Sequence, residues 1–349
     1  MLIREQVALA PFTTLGVGGP ARYFAETHSE AEVIEAVEFA RSRQLPLFVL
    51  GGGSNLVIAD KGFPGVVLKV AISGSSSCTP PRKNPLFIAG AGVNWDTLVA
   101  QTVDANCAGL ECLSGIPGTV GGTPVQNVGA YGQEVSQTIR EVRVLDLRSL
   151  QIEILSNAEC SFTYRSSIFN TTERDRYIIL QVSFALHQDG KPSVRYADLQ
   201  KFFASSTGDP TLAEVRAAVC EIRYRKAMLI VPGDEDARSA GSFFKNPIVP
   251  QSFFEELSAR VESRGLQLPS YPAGDGFRKL PAAWLVEQAG FSRGYSKGAA
   301  GISRRHALAI VNRGGATAAD IIALKDEIQA GVLNEFGIEL QPEPVLVGF

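Results

Sequence analysis

The chain has 349 residues, a length that accommodates two or three domains. Hydrophobic residues make up 45% of it and charged residues 20%, a composition that excludes a disordered or fibrous protein. The 33 basic and 36 acidic residues leave a net charge of −3, which gives no general attraction to nucleic acid or to a membrane surface.

The cysteines and the N-terminal segment indicate where the protein is located. Five cysteines, an odd number with no Cys-x-x-Cys pair, argue against a disulfide framework and against a thiolate metal site. The opening segment MLIREQVALAPFTTLG has no apolar run of signal-peptide length, and no run approaches the roughly 18 apolar residues of a membrane span. We therefore predict a cytoplasmic protein without metal or membrane association.

A first glycine-rich segment follows a buried strand. The residues 21–27 read as a strand, the Ser29–Glu32 capping box begins a helix, and the apolar run 45–50 is a second strand. That strand ends in Gly51-Gly-Gly-Ser-Asn55, and further strands at 56–60 and 65–70 come next. Because a dinucleotide-binding fingerprint requires a helix directly after its glycines, the sequence argues against a Rossmann fold.

A second glycine-rich segment, IPGTVGGTPVQNVGAYG, covers residues 116–132. Before it, the polar residues 73–85 predict an exposed loop or hairpin tip, 86–92 a strand, and 95–105 a helix. Dense glycine allows backbone amides to approach a ligand closely, although tight turns alone would also explain it. Two such segments next to strands favour a cofactor that carries phosphate.

The remaining pattern mixes strands and helices, with no repeat of fixed period. The acidic segment 231–240 predicts a flexible connector near a domain boundary. In chain order we predict strands at 141–147 and 177–186, a capped helix from Thr211 to Lys226, a helix at 280–288 closed by Gly290, a strand at 306–312, a helix from Thr317 to Gly337, and strands at 337–340 and 345–349.

The stretch SAGSFFKNP at 239–247 raises a chemical question. A serine that takes part in catalysis usually depends on a histidine, yet the chain contains only His28, His187 and His306, and none lies near Ser242 in sequence. Taken alone, Ser242 fits a turn before a buried pair of phenylalanines.

Several motifs together resemble one enzyme family. GGGSN after a strand, IPGTVGGTPVQNVGAYG, YRSSIF, SAGSFFKNP, KLPAAWLVEQAG and IELQPE occur in this order over nearly the full length. In this respect the chain resembles the UDP-N-acetylenolpyruvoylglucosamine reductases (the MurB family), and its YADL segment at 196–199 resembles the tyrosine loop of the type I branch.

The resemblance implies an α+β fold: a three-domain FAD-binding enzyme of the vanillyl-alcohol-oxidase-like (PCMH) type with a separate α+β substrate-binding domain. The implied domains are the first part of the FAD-binding region at 1–70, its second part at 71–228, a UDP-sugar domain at 229–335 and a C-terminal strand at 336–349 that returns toward the active site.

The resemblance also implies the reaction and its residues. NADPH would reduce FAD, and the reduced flavin would pass hydride to an enolpyruvyl UDP-sugar. Ser242 would donate the proton, Arg165 would hold the substrate carboxylate, and Glu343 would polarise or reprotonate the enol system. The implied substrate-binding residues are Tyr131, Tyr196, Lys226, Asn246 and Gln288. The implied cofactor-binding residues are Gly51, Gly52, Gly53, Ser54, Asn55, Gly118, Gly121, Gly122, Thr123 and Gly129.

Because neither 51–55 nor 116–132 contains histidine or cysteine, we expect FAD to be bound without a covalent link. The expected partners are the UDP-sugar and NADPH, with no nucleic acid and no obligate protein partner. Two alternatives remain at this point. One is an oxidoreductase for a hydroxy acid or sugar lactone on the same scaffold, which would need a histidine or cysteine in its active site. The other is a binding protein for nucleotide sugars, for which two glycine segments would be redundant.

Overall fold

The computed structural model describes residues 1–78 and 84–349 and divides the chain into two compact units. Unit 1 contains Met1–Val7, Pro20–Gly53 and Phe63–Leu229, and unit 2 contains Ala8–Gly19, Ser54–Gly62 and Ile230–Phe349. The predicted boundary at residues 228 and 229 lies beside the point where the chain leaves unit 1. The finer divisions at residues 70 and 335 stay predictions.

The described residues form helices and short strands along the whole chain. The helices are α1 (Glu30–Ser42), α2 (Trp95–Asp104), α3 (Ala197–Phe202), α4 (Leu212–Arg225), α5 (Gln251–Glu262), α6 (Ala282–Gln288) and α7 (Ala318–Phe336). The strands are β1 (Ile3–Ala8), β2 (Pro20–Thr27), β3 (Leu47–Leu50), β4 (Leu56–Ile58), β5 (Phe63–Val70), β6 (Ser75–Cys78), β7 (Leu86–Gly90), β8 (Cys107–Ala108), β9 (Gly129–Ala130), β10 (Gln133–Glu134), β11 (Ile139–Asp146), β12 (Ile152–Ser156), β13 (Tyr177–Ala185), β14 (His187–Gln188), β15 (Ile248–Pro250), β16 (Tyr271–Pro272), β17 (Phe277–Lys279), β18 (Ser296–Lys297), β19 (Ala300–Ile302), β20 (Ile310–Asn312) and β21 (Val345–Val347).

The two larger sheets of unit 1 form its framework. The first has the order β1-β2-β5-β3, and β5 pairs in parallel with both β2 and β3. The second has the order β12-β11-β13-β7-β6, and each pair of neighbouring strands in it is antiparallel. Their apolar faces share one core, in which the fully buried Trp95 ring of α2 lies 5.8 Å from the Phe184 ring of β13. A buried aromatic pair of this kind stabilises the unit beyond its area alone.

Unit 2 combines short antiparallel sheets with helices. The sheets have the orders β15-β17-β16 and β18-β19-β20, and β21 pairs in parallel with β4. The buried face of α7 is formed by Ile321, Leu324, Ile328 and Val332, the helical spacing that the sequence predicted. Helix α7 ends at Gly337, whose φ of 70° is the left-handed conformation that favours glycine.

Three sequence predictions are wrong in unit 2. The residues 337–340 form no strand, because the Leu340 carbonyl accepts a hydrogen bond from the Gln329 side chain instead of a ladder partner. The predicted strand at 306–312 begins only at Ile310, since a turn joins the Ala309 amide to the His306 carbonyl at 3.2 Å. The segment 231–240 is not a loose connector: it contains the 3-10 helix Glu235–Ala237, where Asp236 is buried.

The predicted hairpin at 73–85 is described only in part. Strands β6 and β7 pair antiparallel, with Cys78 opposite Leu86, as expected for the two arms of a hairpin. The residues 79–83 lie outside the described part of the chain.

Removal of the α7 cap should weaken unit 2. Thr317 Oγ1 accepts from the Asp320 amide at 3.1 Å, and Asp320 Oδ2 accepts from the Thr317 amide at 2.9 Å. Thr317→Ala loses this reciprocal cap and should lower the free energy of unfolding by about 1 kcal/mol. Urea unfolding should show a lower midpoint for Thr317→Ala, whereas Thr317→Ser and the exposed control Ser263→Ala should match wild type. A midpoint for Thr317→Ala equal to that of Ser263→Ala would contradict this role of the cap.

Candidate functional site

The two glycine-rich segments touch each other in unit 1 through backbone alone. A Cβ atom added to Gly52 would lie 2.5 Å from Gly118 Cα and 2.8 Å from the Gly118 carbonyl carbon. Real Cβ atoms do not tolerate such distances, so any side chain at position 52 would push the segments apart. Gly118 also has a φ of 133°, which residues with side chains rarely adopt. The glycines are therefore required by packing, not only by turns.

This contact creates a surface of backbone suited to a phosphate-bearing group. Thr119 Oγ1 is buried there and has no hydrogen-bond partner among the described residues, a state that usually means that a ligand or water completes it. Gly122 is exposed, and a Cβ atom added to it would meet nothing within 4 Å. Open space, exposed backbone and an unsatisfied hydroxyl together fit the FAD that the sequence predicted.

Helices α2 and α4 hold the residues just before the second glycine segment in place. The Trp95 indole donates to the Leu113 carbonyl at 3.0 Å, and Asp96 Oδ1 accepts from the Gly115 amide at 2.6 Å. Arg216 of α4 binds both Asp96 oxygens, at 2.6 and 2.8 Å. Burial alone would raise the pKa of Asp96, but the hydrogen bonds from Arg216 and the Gly115 amide outweigh it and keep the pKa below its usual value. Asp96 therefore stays ionised as the anchor of the segment.

The other predicted cofactor residues have different surroundings. Gly51 lies beside Thr119, because its added Cβ atom would be 3.1 Å from Thr119 Oγ1. Thr123 is buried and donates to the Val120 carbonyl at 2.8 Å, which makes its side chain a local support of the segment. Gly53 is the last residue of the first glycine segment that belongs to unit 1, and it has a φ of 66°. Gly121 packs on Ala91. Ser54 and Asn55 belong to unit 2.

Arg165 is held against the second glycine segment. Its Nη1 donates to the Gly129 carbonyl at 2.8 Å. Arg165 itself has a φ of 54°, and Asn127 and Tyr131 on the neighbouring segment have φ values of 45° and 49°. Left-handed backbone is costly for residues with side chains and concentrates at functional sites. This group of three marks the Gly129 end of the segment as a candidate site for a carboxylate, the group that Arg165 is expected to hold.

Two predicted substrate-binding tyrosines meet in unit 1. The rings of Tyr131 and Tyr196 are 5.5 Å apart and nearly perpendicular. Burial raises the pKa of Tyr131 to about 12, so its hydroxyl stays protonated as a donor. Tyr196 is 46% exposed at the start of α3. The half-buried Tyr131 ring thus packs against the exposed Tyr196 ring.

Lys226 lies close to the same tyrosine segment. Its Nζ forms a 2.6 Å ion pair with Asp198 Oδ2, in the first turn of the helix that Tyr196 precedes. Lys226 is the C-terminal cap residue of α4, as the sequence predicted. A phosphate would therefore have to compete with Asp198 for this ammonium group.

Sequence reasoning missed a buried carboxylate that holds the chain before Tyr196. Glu111 is 1% exposed, and its oxygens accept from the Gln133 side chain at 2.7 Å, the Gly109 amide at 2.7 Å and the Ser193 amide at 2.9 Å. Glu111 thus links the residues just after the second glycine segment to those just before the tyrosine segment. The only signal in the sequence was an acidic residue within an otherwise apolar stretch, which by itself indicates nothing about partners.

Ser242 and Glu343 are brought together by backbone pairing in unit 2. The Glu343 amide donates to the Phe243 carbonyl at 2.9 Å, and the Lys245 amide donates to the Gln341 carbonyl at 2.9 Å. The SAGSFFKNP segment therefore runs beside the QPEP segment, although about a hundred residues separate them in sequence. Asn55 donates from Nδ2 to the Glu343 carbonyl at 3.2 Å and fixes the same turn.

Ser242 also has the histidine that its sequence neighbourhood lacked. His306 Nε2 lies 3.0 Å from Ser242 Oγ, and both residues are half-buried. No histidine lies near Ser242 in sequence, but the fold brings His306 into contact with it. The contact arises because the Phe243 amide donates to the Leu308 carbonyl at 2.8 Å, which aligns the serine with the turn that contains His306.

Asn246 and Gln288 lie at opposite ends of α6. Asn246 Oδ1 accepts from the Ala282 amide at 2.9 Å and so caps the first turn of the helix, while Gln288 is the exposed last residue. The Oδ1 atom of Asn246 thus has a structural role, and a ligand would use the Nδ2 donor of the same side chain. In the part of the chain that the structure covers, no three His, Cys, Asp or Glu side chains are grouped as a metal site. Within the same residues no helix has the length and apolarity needed to cross a bilayer.

These features define a flavoprotein, and comparison with known proteins agrees. Residues 21–153 match the family described as "FAD binding domain". Residues 233–347 match the family described as "UDP-N-acetylenolpyruvoylglucosamine reductase, C-terminal domain". The predicted α+β fold and the use of FAD are thereby confirmed.

Relatives that match over the full length identify the family of flavoproteins to which the chain belongs. The chain is 49% identical to the UDP-N-acetylenolpyruvoylglucosamine reductase of Thermobifida fusca, covering 99% of this chain and 98% of that protein. It is 46% identical to the reductase of the same name from Streptomyces coelicolor, covering 97% of this chain and 89% of that one. The crystal structure of the reductase from Thermus caldophilus is similar at 26% identity and a TM-score of 0.68, covering 99% of this chain and 100% of that one. The chain belongs to the UDP-N-acetylenolpyruvoylglucosamine reductase family.

Two glycine substitutions should separate packing from cofactor binding. Gly52→Ala places a Cβ atom against Gly118 backbone, so it should lower both the stability of the FAD-free protein and its affinity for FAD. Gly122→Ala meets no protein atom, so it should leave the melting temperature of the FAD-free protein unchanged and weaken FAD binding alone. Differential scanning calorimetry and FAD titration would measure the two quantities.

The same samples test the mode of attachment. FAD should appear in the supernatant after acid denaturation, because neither segment carries a histidine or cysteine. Flavin that stays with the precipitated chain would contradict non-covalent binding. Unchanged FAD affinity in Gly122→Ala would remove Gly122 from the cofactor site.

Proposed function

We propose that Ser242, Arg165 and Glu343 carry the reaction of the family in this chain. That reaction is the reduction of UDP-N-acetylglucosamine enolpyruvate to UDP-N-acetylmuramate in the synthesis of peptidoglycan precursors. The observation that supports the residue assignment most strongly is the pairing of SAGSFFKNP with QPEP, which places Ser242 and Glu343 on adjacent backbone segments. A turn serine and a rim carboxylate would have no reason to meet.

The chemistry sets the tasks of these residues. Reduction of the enol ether adds a hydride to the terminal vinyl carbon and a proton to the carbon beside the carboxylate. When bound, FAD supplies the hydride transfer, with NADPH as the source of electrons. The protein must hold the carboxylate, stabilise the negative charge that develops on it, and deliver the proton to one face.

Arg165 is suited to the carboxylate. A guanidinium is planar and always charged, and it binds two carboxylate oxygens at once. The hydrogen bond from Nη1 to the Gly129 carbonyl limits its rotation, which reduces the entropy lost when the substrate binds. The nearby Gly129 backbone is part of the segment that carries the cofactor residues, so the carboxylate would be held next to the hydride donor.

Ser242 would donate the proton to carbon, and Glu343 would polarise the enol system from the neighbouring segment. A hydroxyl is a weak acid, so it serves here only because its acceptor is a strongly basic, enolate-like carbon and because groups around it stabilise the alkoxide. The UDP-sugar would be bound by Tyr131, Tyr196, Lys226, Asn246 and Gln288. Since both UDP-sugar and NADPH are cytoplasmic metabolites, we place the protein in the cytoplasm, acting on small molecules.

Ser242→Ala should separate the two half-reactions. Reduction of FAD by NADPH does not use the serine proton and should keep its rate. Oxidation of the reduced enzyme by the enolpyruvyl UDP-sugar should fall by roughly 10²–10⁴-fold, the usual worth of general acid catalysis. Stopped-flow absorbance of FAD-replete protein measures both rates. Ser242→Cys keeps a transferable proton and should recover part of the loss, and Ser263→Ala serves as the matched control. Near-normal reoxidation in Ser242→Ala would remove Ser242 as the acid.

Tyr196→Phe tests the tyrosine segment. Phenylalanine keeps the ring contact with Tyr131 and removes only the hydroxyl, so folding and FAD reduction by NADPH should not change. Loss of one hydrogen bond to the substrate should raise the KM for the UDP-sugar about three- to tenfold. Tyr224→Phe, at another exposed tyrosine, is the control. Equal loss in both half-reactions would contradict a role in holding the UDP-sugar.

A further inference from the structure

We propose that His306 is a positioning residue for Ser242: its Nε2–H donates a hydrogen bond to Ser242 Oγ, directs the serine proton away from the imidazole, and stabilises the oxygen after that proton has left. This inference rests on the proposed role of Ser242 as proton donor. It starts from the 3.0 Å distance between Nε2 and Oγ, which by itself leaves open which atom donates.

The chemistry of the serine decides the direction of the hydrogen bond. Ser242 has one hydroxyl proton. If that proton were donated to Nε2, it would be directed at the imidazole and unavailable to the substrate carbon, as in an enzyme that uses serine as a nucleophile. A serine that acts as an acid needs the opposite arrangement, in which Nε2 carries hydrogen and Oγ accepts it.

The proton balance of this step is simple. The Ser242 O–H bond breaks, a C–H bond forms at the carbon beside the substrate carboxylate, and the electron pair of the O–H bond remains on Oγ. A donor already directed at Oγ stabilises this developing alkoxide, and a hydrogen bond to a charged oxygen is stronger than one to a neutral hydroxyl. The imidazole therefore lowers the energy of the transition state more than that of the ground state.

The chain around His306 is held by contacts both before and after the histidine. After His306, the Ala309 amide donates to the His306 carbonyl at 3.2 Å, and the Leu308 carbonyl accepts from the Phe243 amide at 2.8 Å. Before His306, Arg305 is tied to the acidic segment 231–240. The hydrogen bonds of the 306–309 turn and the ion pairs of Arg305 therefore restrain the backbone that carries the His306 ring.

The acidic segment 231–240 contacts the two arginines before His306, a contact that its sequence did not predict. Asp234 forms an ion pair with Arg305 Nη2, Asp236 Oδ2 lies 3.6 Å from Arg305 Nε, and Asp236 Oδ1 accepts from the Arg304 amide at 3.4 Å. Asp236 is buried, so these contacts order the 3-10 helix Glu235–Ala237 against the turn before His306. The two carboxylates also offset the positive charge of the arginine next to the imidazole.

Kinetics of single and double variants test the contact. His306→Ala should keep its FAD content and its rate of reduction by NADPH, while reoxidation by the enolpyruvyl UDP-sugar should slow roughly ten- to hundredfold, the worth of one hydrogen bond to a charged oxygen. His306→Gln places an amide donor near the same position and should recover part of the rate. Ser242→Ala/His306→Ala should be no slower than Ser242→Ala, because His306 acts through the serine. His28→Asn, at an exposed histidine, is the control.

Nitrogen NMR provides a readout that does not depend on turnover or on FAD. With only three histidines in the chain, ¹⁵N-histidine-labelled protein gives few ring signals, and His306→Gln assigns those of His306. We expect Nε2 of His306 to carry hydrogen at neutral pH. Its chemical shift should move in Ser242→Ala and stay in Ser263→Ala. A neutral ring with an unprotonated Nε2 would show that His306 accepts from the serine and would overturn the proposal.

The outcomes separate this inference from the proposed function. If the enolpyruvyl UDP-sugar does not reoxidise the reduced wild-type enzyme, the proposed function fails whatever His306 does. If wild type is reoxidised and His306→Ala is equally fast, only the role of His306 fails. Equal rates for His306→Gln and His306→Ala would likewise contradict a donated hydrogen bond. If His306→Ala does not fold, the glutamine variant and the NMR spectra of wild type still decide.

Discussion

The close approach of Gly52 to Gly118 is the contact on which the cofactor region depends. Two backbone segments meet there with no side chain between them, because a Cβ atom at position 52 would lie 2.5 Å from Gly118 Cα. Once the segments touch, backbone amides and the Thr119 hydroxyl, which has no hydrogen-bond partner among the residues that the structure describes, line the same surface. Asp96, Trp95 and Arg216 then serve to hold the second segment in register. The glycines at positions 52 and 118 meet this steric requirement, while others, such as Gly121 against Ala91, pack on different neighbours.

The arrangement of Ser242, His306 and Glu343 in unit 2 depends on a different constraint, the pairing of short chain segments distant in sequence. SAGSFFKNP lies between the turn at 306–309 and the QPEP segment, with hydrogen bonds to each. Short segments of this kind have little intrinsic preference for strand structure, so their conformation follows from their neighbours. The result is that a serine, a histidine and a glutamate from three parts of unit 2 are placed along adjacent backbone, each held by contacts that have no catalytic purpose of their own.

The buried carboxylates of Glu111 and Asp236 each connect chain segments that are distant in sequence. Glu111 joins Gly109, Gln133 and Ser193 through three hydrogen bonds, and Asp236 joins the acidic segment to the turn before His306. A buried carboxylate with several donors is costly to leave unsatisfied, so each one specifies a single arrangement of the loops that it connects. Polar segments that contribute few side chains to the apolar core are thereby held in one conformation by hydrogen bonds and ion pairs.

The sequence alone determined the elements with strong local signals: the helix N-caps at Ser29, Thr211 and Thr317, the buried strands, the left-handed stop at Gly337 and the two glycine segments. At Ser29 only half of the predicted capping box forms, because Glu32 accepts from the His28 amide instead of the Ser29 amide. The ordered motifs also indicated the family, because their order and residue types are read along the chain. Tertiary structure alone decided that His306 lies beside Ser242, that residues 231–240 are anchored by Arg305, and that Leu340 uses a side-chain donor in place of a strand partner. These contacts join residues that are far apart in sequence or lack a periodic pattern, and their geometry exists only after distant segments pack together.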